Sequence, residues 1–308
     1  MIIIEVLYKA KKRIKKIYND YFTINGQYTS LLPDKIYLKK LYKKRMGKKL
    51  NLKNPKTFNE KLQWLKLYDR RPKYTIMADK YKSREYIRKK TNKDYFVPLI
   101  GVWKSPEEID FDSLPNQFVL KCNHDNGVMI CKDKSKLDIE KAKKELEYRL
   151  HRNYYNKHRE WPYKDISRLI LCEKYMSNDN DTPEIDYKFL CFDGVPKIVR
   201  LNSGRFTEGG ITVDHYDMNW KYQKIVFHDE PSAGDIYPKP KQFSEMIELA
   251  SELSENIPFL RVDFNFWNNT IWFGELTFFD NAGVATIYPE EWDRLLGSWI
   301  ELPKKKRR

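Results

Sequence analysis

Apolar positions recur at helical spacing in the first third of the chain and at strand spacing through most of the rest. "KIYLKKLYKKRMG" and "TFNEKLQWLKLYD" predict helices. The second opens on a capping box in which Thr57 caps and Glu60 reaches back. "ADKYKSREYIRKK" predicts a third helix, closing a helical part near residue 95. "YFVPLIGVW" then reads as a strand, and "NQFVLKCNHDNGVMICKD" as two strands around a short polar turn. "SKLDIEKAKKELEYRLHRNYY" is an amphipathic helix, followed by strands at "RLILCEKYM", "IDYKFLCFD" and "PKIVRLN". From Ser203 to about Pro240 the pattern is irregular, and such stretches are often functional. "PKQFSEMIELASELSEN" is a helix that delivers the chain to a hairpin, "RVDFNFWNNTIWFGELTFFDNAG".

That hairpin carries charges where a buried sheet should be apolar. Alternation sets Val262, Phe264 and Phe266 on one face and Arg261, Asp263 and Asn265 on the other. On the return strand Phe273, Glu275 and Thr277 alternate with Trp272, Gly274 and Leu276. A two-residue turn at Asn268 and Asn269 would set Glu275 opposite Val262. A three-residue turn that includes Thr270 would set it opposite Asp263, and this is the expected register. Paired carboxylates need a cation between them. Magnesium, which takes one or two carboxylates and completes its shell with phosphate and water, suits such a pair. The hairpin alone is equally well explained by a solvated polar face with one ion pair.

Charge and composition narrow the partners. The 308 residues carry a formal charge of +15, which favours acidic partners such as nucleotides, sugar phosphates, nucleic acid or anionic lipid. Aromatic residues make up 15% and hydrophobic residues 41%, enough for a folded globule rather than a disordered basic chain. Cys122, Cys131, Cys172 and Cys191 form no C-x-x-C pair and read as buried free thiols in a reducing cytoplasm, not as a zinc site. No apolar run approaches the roughly 18 residues of a membrane span. Residues 1–20 read as a basic amphipathic helix with Ile3, Leu7, Ala10, Ile14 and Ile17 on one stripe. Its simplest place is against the protein's own core; the functional alternative is an anionic membrane surface. The terminal "PKKKRR" is a solubilising tail that could also touch lipid head groups.

Further polar groups punctuate the strands. Lys121 ends "FVLK" just before the turn "NHDNG", where backbone N–H groups and a lysine could embrace a phosphate. Glu173, Lys174, Tyr175 and Met176 follow "RLILC", where a strand leaving its sheet can meet an adenine edge. Asp186 and Lys188 share one strand face. Taken in order, with R-x-D and E-x-T on the last hairpin, these placements resemble the ATP-grasp superfamily, in which nucleotide lies between two sheets. "TFNEKLQWLKLYDR", "ADKYKSREYI", "FVLKCNH", "DYKFLCFDG" and "RVDFNFWNNTIWFGELTF" narrow the resemblance to its TupA-like family, associated with teichuronopeptide and other bacterial surface-polysaccharide loci.

The resemblance implies an α+β ATP-grasp fold, with two α+β subdomains sandwiching the nucleotide and a helical N-terminal region. The expected division is a basic helix at 1–20, a helical region at 21–105, a lid at 106–171 and a core with the metal site at 172–308. Lys121 and the turn from Asn123 through His124 to Gly127 would hold ATP phosphates. Glu173, Lys174, Tyr175 and Met176 would frame adenine, Asp186 the ribose, and Lys188 a second phosphate contact. Asp263, Glu275 and Thr277 would hold magnesium, Thr277 standing where many ATP-grasp ligases have asparagine. Arg261 would be catalytic, steadying charge on the reacting carboxyl. Asn202, Arg205 and Asn281 are assigned to substrate from loop position. The implied reaction joins an amine to a carboxylate through an acyl phosphate, with no nucleic-acid partner. The rival reading is a metal-dependent glycosyltransferase, resting on Asp179 and Asp181 at D-x-D spacing.

Overall fold

The computed structural model describes residues 32–176, 185–204, 210–228 and 230–304. The expected helix at 1–20, Asp179, Asp181, Arg205 and the last four residues of the basic tail lie outside them.

Four helices come first. Helix α1 spans Asp34–Met46 and stops at Gly47, whose φ of 68° is the left-handed conformation glycine tolerates. In α2, Phe58–Tyr68, the capping box forms as read: the Thr57 hydroxyl accepts from the Glu60 N–H and the Glu60 carboxylate accepts from the Thr57 N–H. The third predicted helix is broken into α3, Lys73–Ala78, and α4, Lys82–Thr91. Asp79 is the cause, because its carboxylate accepts the N–H groups of Tyr81 and Lys82 at 2.9 and 3.3 Å and so competes with the helical bonds. Lys80 is thereby left in a connector rather than on a helix face.

Two antiparallel sheets follow. The first has the order β1-β4-β2-β3, with β1 at Leu99–Trp103, β2 at Phe118–Cys122, β3 at Val128–Cys131 and β4 at Ile170–Lys174. Phe118, Leu120, Cys122 and Cys172 point to one side, where they form a small core with Ala142, Leu146 and Leu150 of α5, Ile139–His151. Val119, Lys121 and Glu173 therefore point to the other. After α5 come a short helix α6, Tyr154–His158, and one tight turn over Trp161–Tyr163 before β4.

The second sheet has the order β11-β10-β5-β6-β7-β8. Strands β5, Ile185–Phe192, and β6, Val195–Ser203, match the sequence pattern, as do α7, Phe243–Ser254, and β10, Leu260–Trp267. Phe189, Val262 and Phe264 pack with Phe243, Met246 and Ala250 of α7 in the main core, leaving Lys188, Arg261 and Asp263 on the opposite face. The stretch from Ser203 to Pro240 is more regular than its pattern suggests. It contains β7 at Thr212–Asp217, β8 at Tyr222–Gln223 and β9 at Val226–Phe227. Alternation is lost in β7 because Asp214 and His215 are buried alongside Val213 and Tyr216. At the end, β12, Ile287–Tyr288, pairs with β9, and α8, Glu291–Trp299, packs on α2.

The last hairpin has the expected pair by a different route. Asp263 faces Glu275, but the turn is two residues long, with Trp267 opposite Thr270 and both Asn268 and Asn269 at positive φ. The shift comes from a bulge: Asp263 pairs with Glu275 and Phe264 with Phe273, leaving Gly274 as the extra residue of β11, Thr270–Thr277. Phe273 and Glu275, two apart and nominally on one face, are thus set on opposite sides. Phe273 joins the core against Phe96, with ring centroids 5.1 Å apart. Glu275 is turned out beside Asp263.

Candidate active site

The polar faces of the two sheets enclose a cleft of about 390 Å³. Val119, Lys121, Ile130 and Glu173 line it from the first sheet, and Asp186, Lys188, Asp263 and Glu275 from the second. Tyr175 and Met176 stand where β4 leaves its sheet and close one end. A second cavity of about 350 Å³ lies beside it, lined by Arg261, Thr277, Asn281, His158, Glu160 and Tyr163 among others. Lys80, Asp125, Asn126 and Glu275 belong to the walls of both.

Arg261 is the hub of the seam. Its Nε and Nη2 donate to the two oxygens of Asp263, each at 2.7 Å. Nη2 also reaches Glu275 at 3.1 Å and Nη1 reaches Asp280 at 2.6 Å. Burial opposes the guanidinium charge, yet Asp263, Asp280 and Glu275 together raise its pKa well above the ordinary value. A guanidinium has five N–H donors and four are spent here, so one Nη1 hydrogen is left over on a side chain that lines the second cavity. Lys188 completes the cluster, 2.9 Å from Asp263 and 3.9 Å from Asp186. Lys80 grips the other oxygen of Glu275 at 3.0 Å, and with Arg261 and Lys188 it holds that half-buried carboxyl well below the usual range. Asp280 is buried, which opposes its charge, but Arg200 at 3.0 Å and Arg261 keep it ionised.

The sequence-derived residues separate into those that meet here and those that do not. Lys121 lies in the cleft, bonded at 2.6 Å to Glu173, which also accepts from Arg84 at 3.1 Å. Lys174 lines the rim beside Tyr175. Asn123 faces away: it is fully buried, donating to Asp79 and the Ser167 carbonyl and accepting from the Leu169 N–H, so it braces the turn. His124 looks into the second cavity, with its Nε2 3.2 Å from the Arg152 carbonyl. Burial, reinforced by Arg168, lowers its pKa to about 4, leaving it neutral near pH 7. Gly127 is packed so closely on Arg149 that a Cβ would overlap the guanidinium, and Arg149 and Arg152 both pair with Asp125. The turn is therefore tied to α5. The Thr277 hydroxyl donates to Glu275 at 3.2 Å. Asn281 lines the second cavity with a buried Nδ2 that has no partner. Asn202, across from Asp186 in the sheet, lines neither cavity.

A family model described as TupA-like ATPgrasp matches residues 60–301. The chain belongs to the TupA-like ATP-grasp family. Solved structures also align with part of the chain. A D-alanine–D-alanine ligase from Bacillus anthracis, complexed with ATP, aligns at 18% identity and TM-score 0.37 over 66% of this chain and 53% of that one. The enzyme of the same name from Helicobacter pylori aligns at 12% identity and TM-score 0.41 over 79% and 69%. An L-amino acid ligase from Bacillus licheniformis aligns at 13% and 0.38 over 68% and 42%. This chain spans about half the length of the first such structures. No curated protein matches the sequence.

The donor chemistry of this ATP-grasp site fits magnesium. Asp263 Oδ1 and Glu275 Oε2 each carry one short contact and keep free lone pairs, hard oxygens of the kind the ion takes with substrate phosphate. No cluster of three His, Cys, Asp or Glu side chains forms a closed metal cage among the described residues. Pattern reading missed Lys80, Asp280, Arg200 and Glu160. Asp280 follows the end of the hairpin, outside its alternation, so no strand period pointed to it; Lys80 was hidden in an apparent helix.

Proposed function

We propose that the protein is an ATP- and magnesium-dependent carboxylate-amine ligase. The observation that carries this reading is the shared wall: Lys80 and Glu275 border both the cleft between the sheets and the second cavity. A nucleotide in the first would present its terminal phosphate to a substrate in the second. Val119, Ile130, Tyr175 and Met176 offer an apolar seat for the base, Asp186 lies within reach of the ribose, and Lys121 and Lys188 offer cations to phosphates. Asp263 and Glu275, with the Thr277 hydroxyl behind them, would hold magnesium, which when bound neutralises phosphate charge.

A carboxylate oxygen of the substrate attacks the terminal phosphorus and expels ADP. The amine then attacks the acyl carbon, and phosphate leaves with the electron pair of the broken C–O bond. The free Nη1 hydrogen of Arg261 can bond the oxygen on which charge builds. Enclosure by the two sheets keeps water from the acyl phosphate. Exposed Lys39, Lys40, Lys43 and Lys44 on α1, with Arg45 at the rim of the second cavity, favour an anionic substrate. This supports a uronic acid or glutamyl carboxylate on a glycan precursor, joined to an amino acid in surface-polysaccharide synthesis, with the N-terminal segment at the inner membrane face.

Purified protein given Mg-ATP, uronic acids or glutamate, and amino acids is expected to release ADP and phosphate only when the uronic acid or glutamate is included. Asp263→Asn with Glu275→Gln should abolish that release, whereas Asp179→Asn with Asp181→Asn should not. Sugar-nucleotide cleavage without ATP turnover would instead establish the glycosyltransferase. Liposome flotation unaltered by deletion of residues 1–19 would remove the membrane role.

A further inference from the structure

The second cavity holds a carboxylate that the ligase chemistry above does not use. Glu160 lies between α6 and the tight turn over Trp161–Tyr163, so two short elements place its backbone. It is only 7% exposed and lines the cavity that also contains Arg261 and Glu275. Among the described residues its carboxylate makes no hydrogen bond or ion pair, and its oxygens are open to the cavity rather than sealed in the core. Buried carboxylates ordinarily find donors, so an unpartnered one facing a cavity marks a place for a ligand that brings its own.

The neighbouring groups decide what that ligand is. Lys66, fully buried, spends its ammonium on the carbonyls of His158 and Ala282 at 2.9 and 2.8 Å. His158 beside it is kept neutral by burial and by Lys66, with its pKa lowered to about 3. Burial raises Glu160 to about 7, with Lys66 pulling the other way and Glu275 adding to the rise. Lys80 and Arg261 are engaged by Glu275 and Lys66 by carbonyls, and Arg45, exposed at the rim, makes no ion pair with Glu160. The group that completes Glu160 is a donor supplied from outside, and an ammonium satisfies both its charge and its lone pairs.

Resting on the ligase reading, we propose that the second cavity is the amine subsite and that Glu160 receives the ammonium of the incoming amino compound and takes its proton. One N–H bond of the ammonium breaks and its proton passes to a Glu160 oxygen. The freed lone pair forms the C–N bond to the acyl phosphate, phosphate departs with the C–O electron pair, and the second amine proton leaves with phosphate or water. The placement sets the base on the substrate side of the seam and away from the nucleotide cleft, whose wall does not include Glu160.

Hydroxylamine tests this, because near neutral pH it arrives already deprotonated and needs no base to trap an acyl phosphate. The full-length protein is incubated with Mg-ATP, a panel of D-glucuronate, D-galacturonate and L-glutamate, and either hydroxylamine or a panel of glycine, L-alanine, L-glutamate and L-lysine. Wild type is expected to form both hydroxamate and amide. In Glu160→Gln the ratio of amide to hydroxamate should fall about 100-fold, the usual reach of a positioned base. Glu160→Asp should restore part of it. An unchanged ratio in Glu160→Gln, or an equal loss of both products, overturns the proposal while leaving the ligase reading intact. Failure of wild type to form hydroxamate with any of the carboxylates overturns both.

Discussion

At the scale of single residues, the site is a chain of opposite charges in which no member is spare. Arg261 joins Asp263, Glu275 and Asp280, and Lys80 and Lys188 cap the outer oxygens. Removing one partner of a buried pair leaves the others uncompensated, so Arg261→Leu should lower stability by about 3–5 kcal/mol, measured by urea unfolding. Lys80→Met has a different signature. Glu275 is partly exposed and keeps Arg261, so folding should survive while ADP formation falls roughly 10- to 100-fold, as expected when the partner that orients a metal-holding carboxylate is lost. The convergence of Arg261, Asp263 and Glu275 was legible only from the order of the motifs, since the hairpin alone fits a solvated polar face equally well. Lys80 was not, since nothing local announces that Asp79 halts the helix. Glu160 was invisible for a related reason: it lies between short elements with no period to break.

At the scale of elements, the bulge in β11 does the positioning. A regular hairpin with the same Asn268 and Asn269 turn would carry Glu275 to the core side with Phe273. Gly274 accommodates the shift because it presses on the Asp263 backbone, where a Cβ would lie 3.0 Å from the carbonyl oxygen. Gly274→Val should therefore cost about 1–3 kcal/mol in unfolding experiments, and ATP turnover should fall further than that loss accounts for. Thr57→Ala supplies the contrast: it removes the cap of α2 and should cost about 1 kcal/mol with the KM for ATP unchanged. Pattern reading found the pairing of the two acids but assigned it to a longer turn. A bulge and an extra turn residue shift register equally, and only the facing of Phe273 separates them.

At the scale of the whole molecule, two small sheets meet through their charged faces, so bound ligand and protons should both register in global stability. Mg-ATP at about 100 times its Kd should raise the unfolding free energy by about 2.7 kcal/mol, and Lys121→Ala should reduce that gain at the same concentration. Acid acts through the histidines. His124 and His158 stay neutral in the fold to about 4 and 3, while an unfolded chain takes their protons near 6.5. Between those values the unfolded state binds more protons, so stability falls as pH falls. His215 acts in the same sense, while the raised carboxylates Glu160, Glu230 and Asp293 work the opposite way above their ordinary values, Glu160 up to about 7. Below 4.5 the depressed Glu275 adds to the loss. Thermal melting from pH 7 to 4 should show a decline throughout the lower part of that range.

The connector between α3 and α4 has a mechanical consequence. The Lys80 N–H donates to the Asn123 carbonyl at the end of β2 while its ammonium holds Glu275 on β11, and Asp79 takes the Asn123 amide. One short loop thus acts as a calliper, its jaws fixed to separate sheets. If the cleft takes the nucleotide as proposed, that grip would set how wide the mouth can gape before the ammonium lets go. Release of spent ADP would then be paced from a segment belonging to neither sheet.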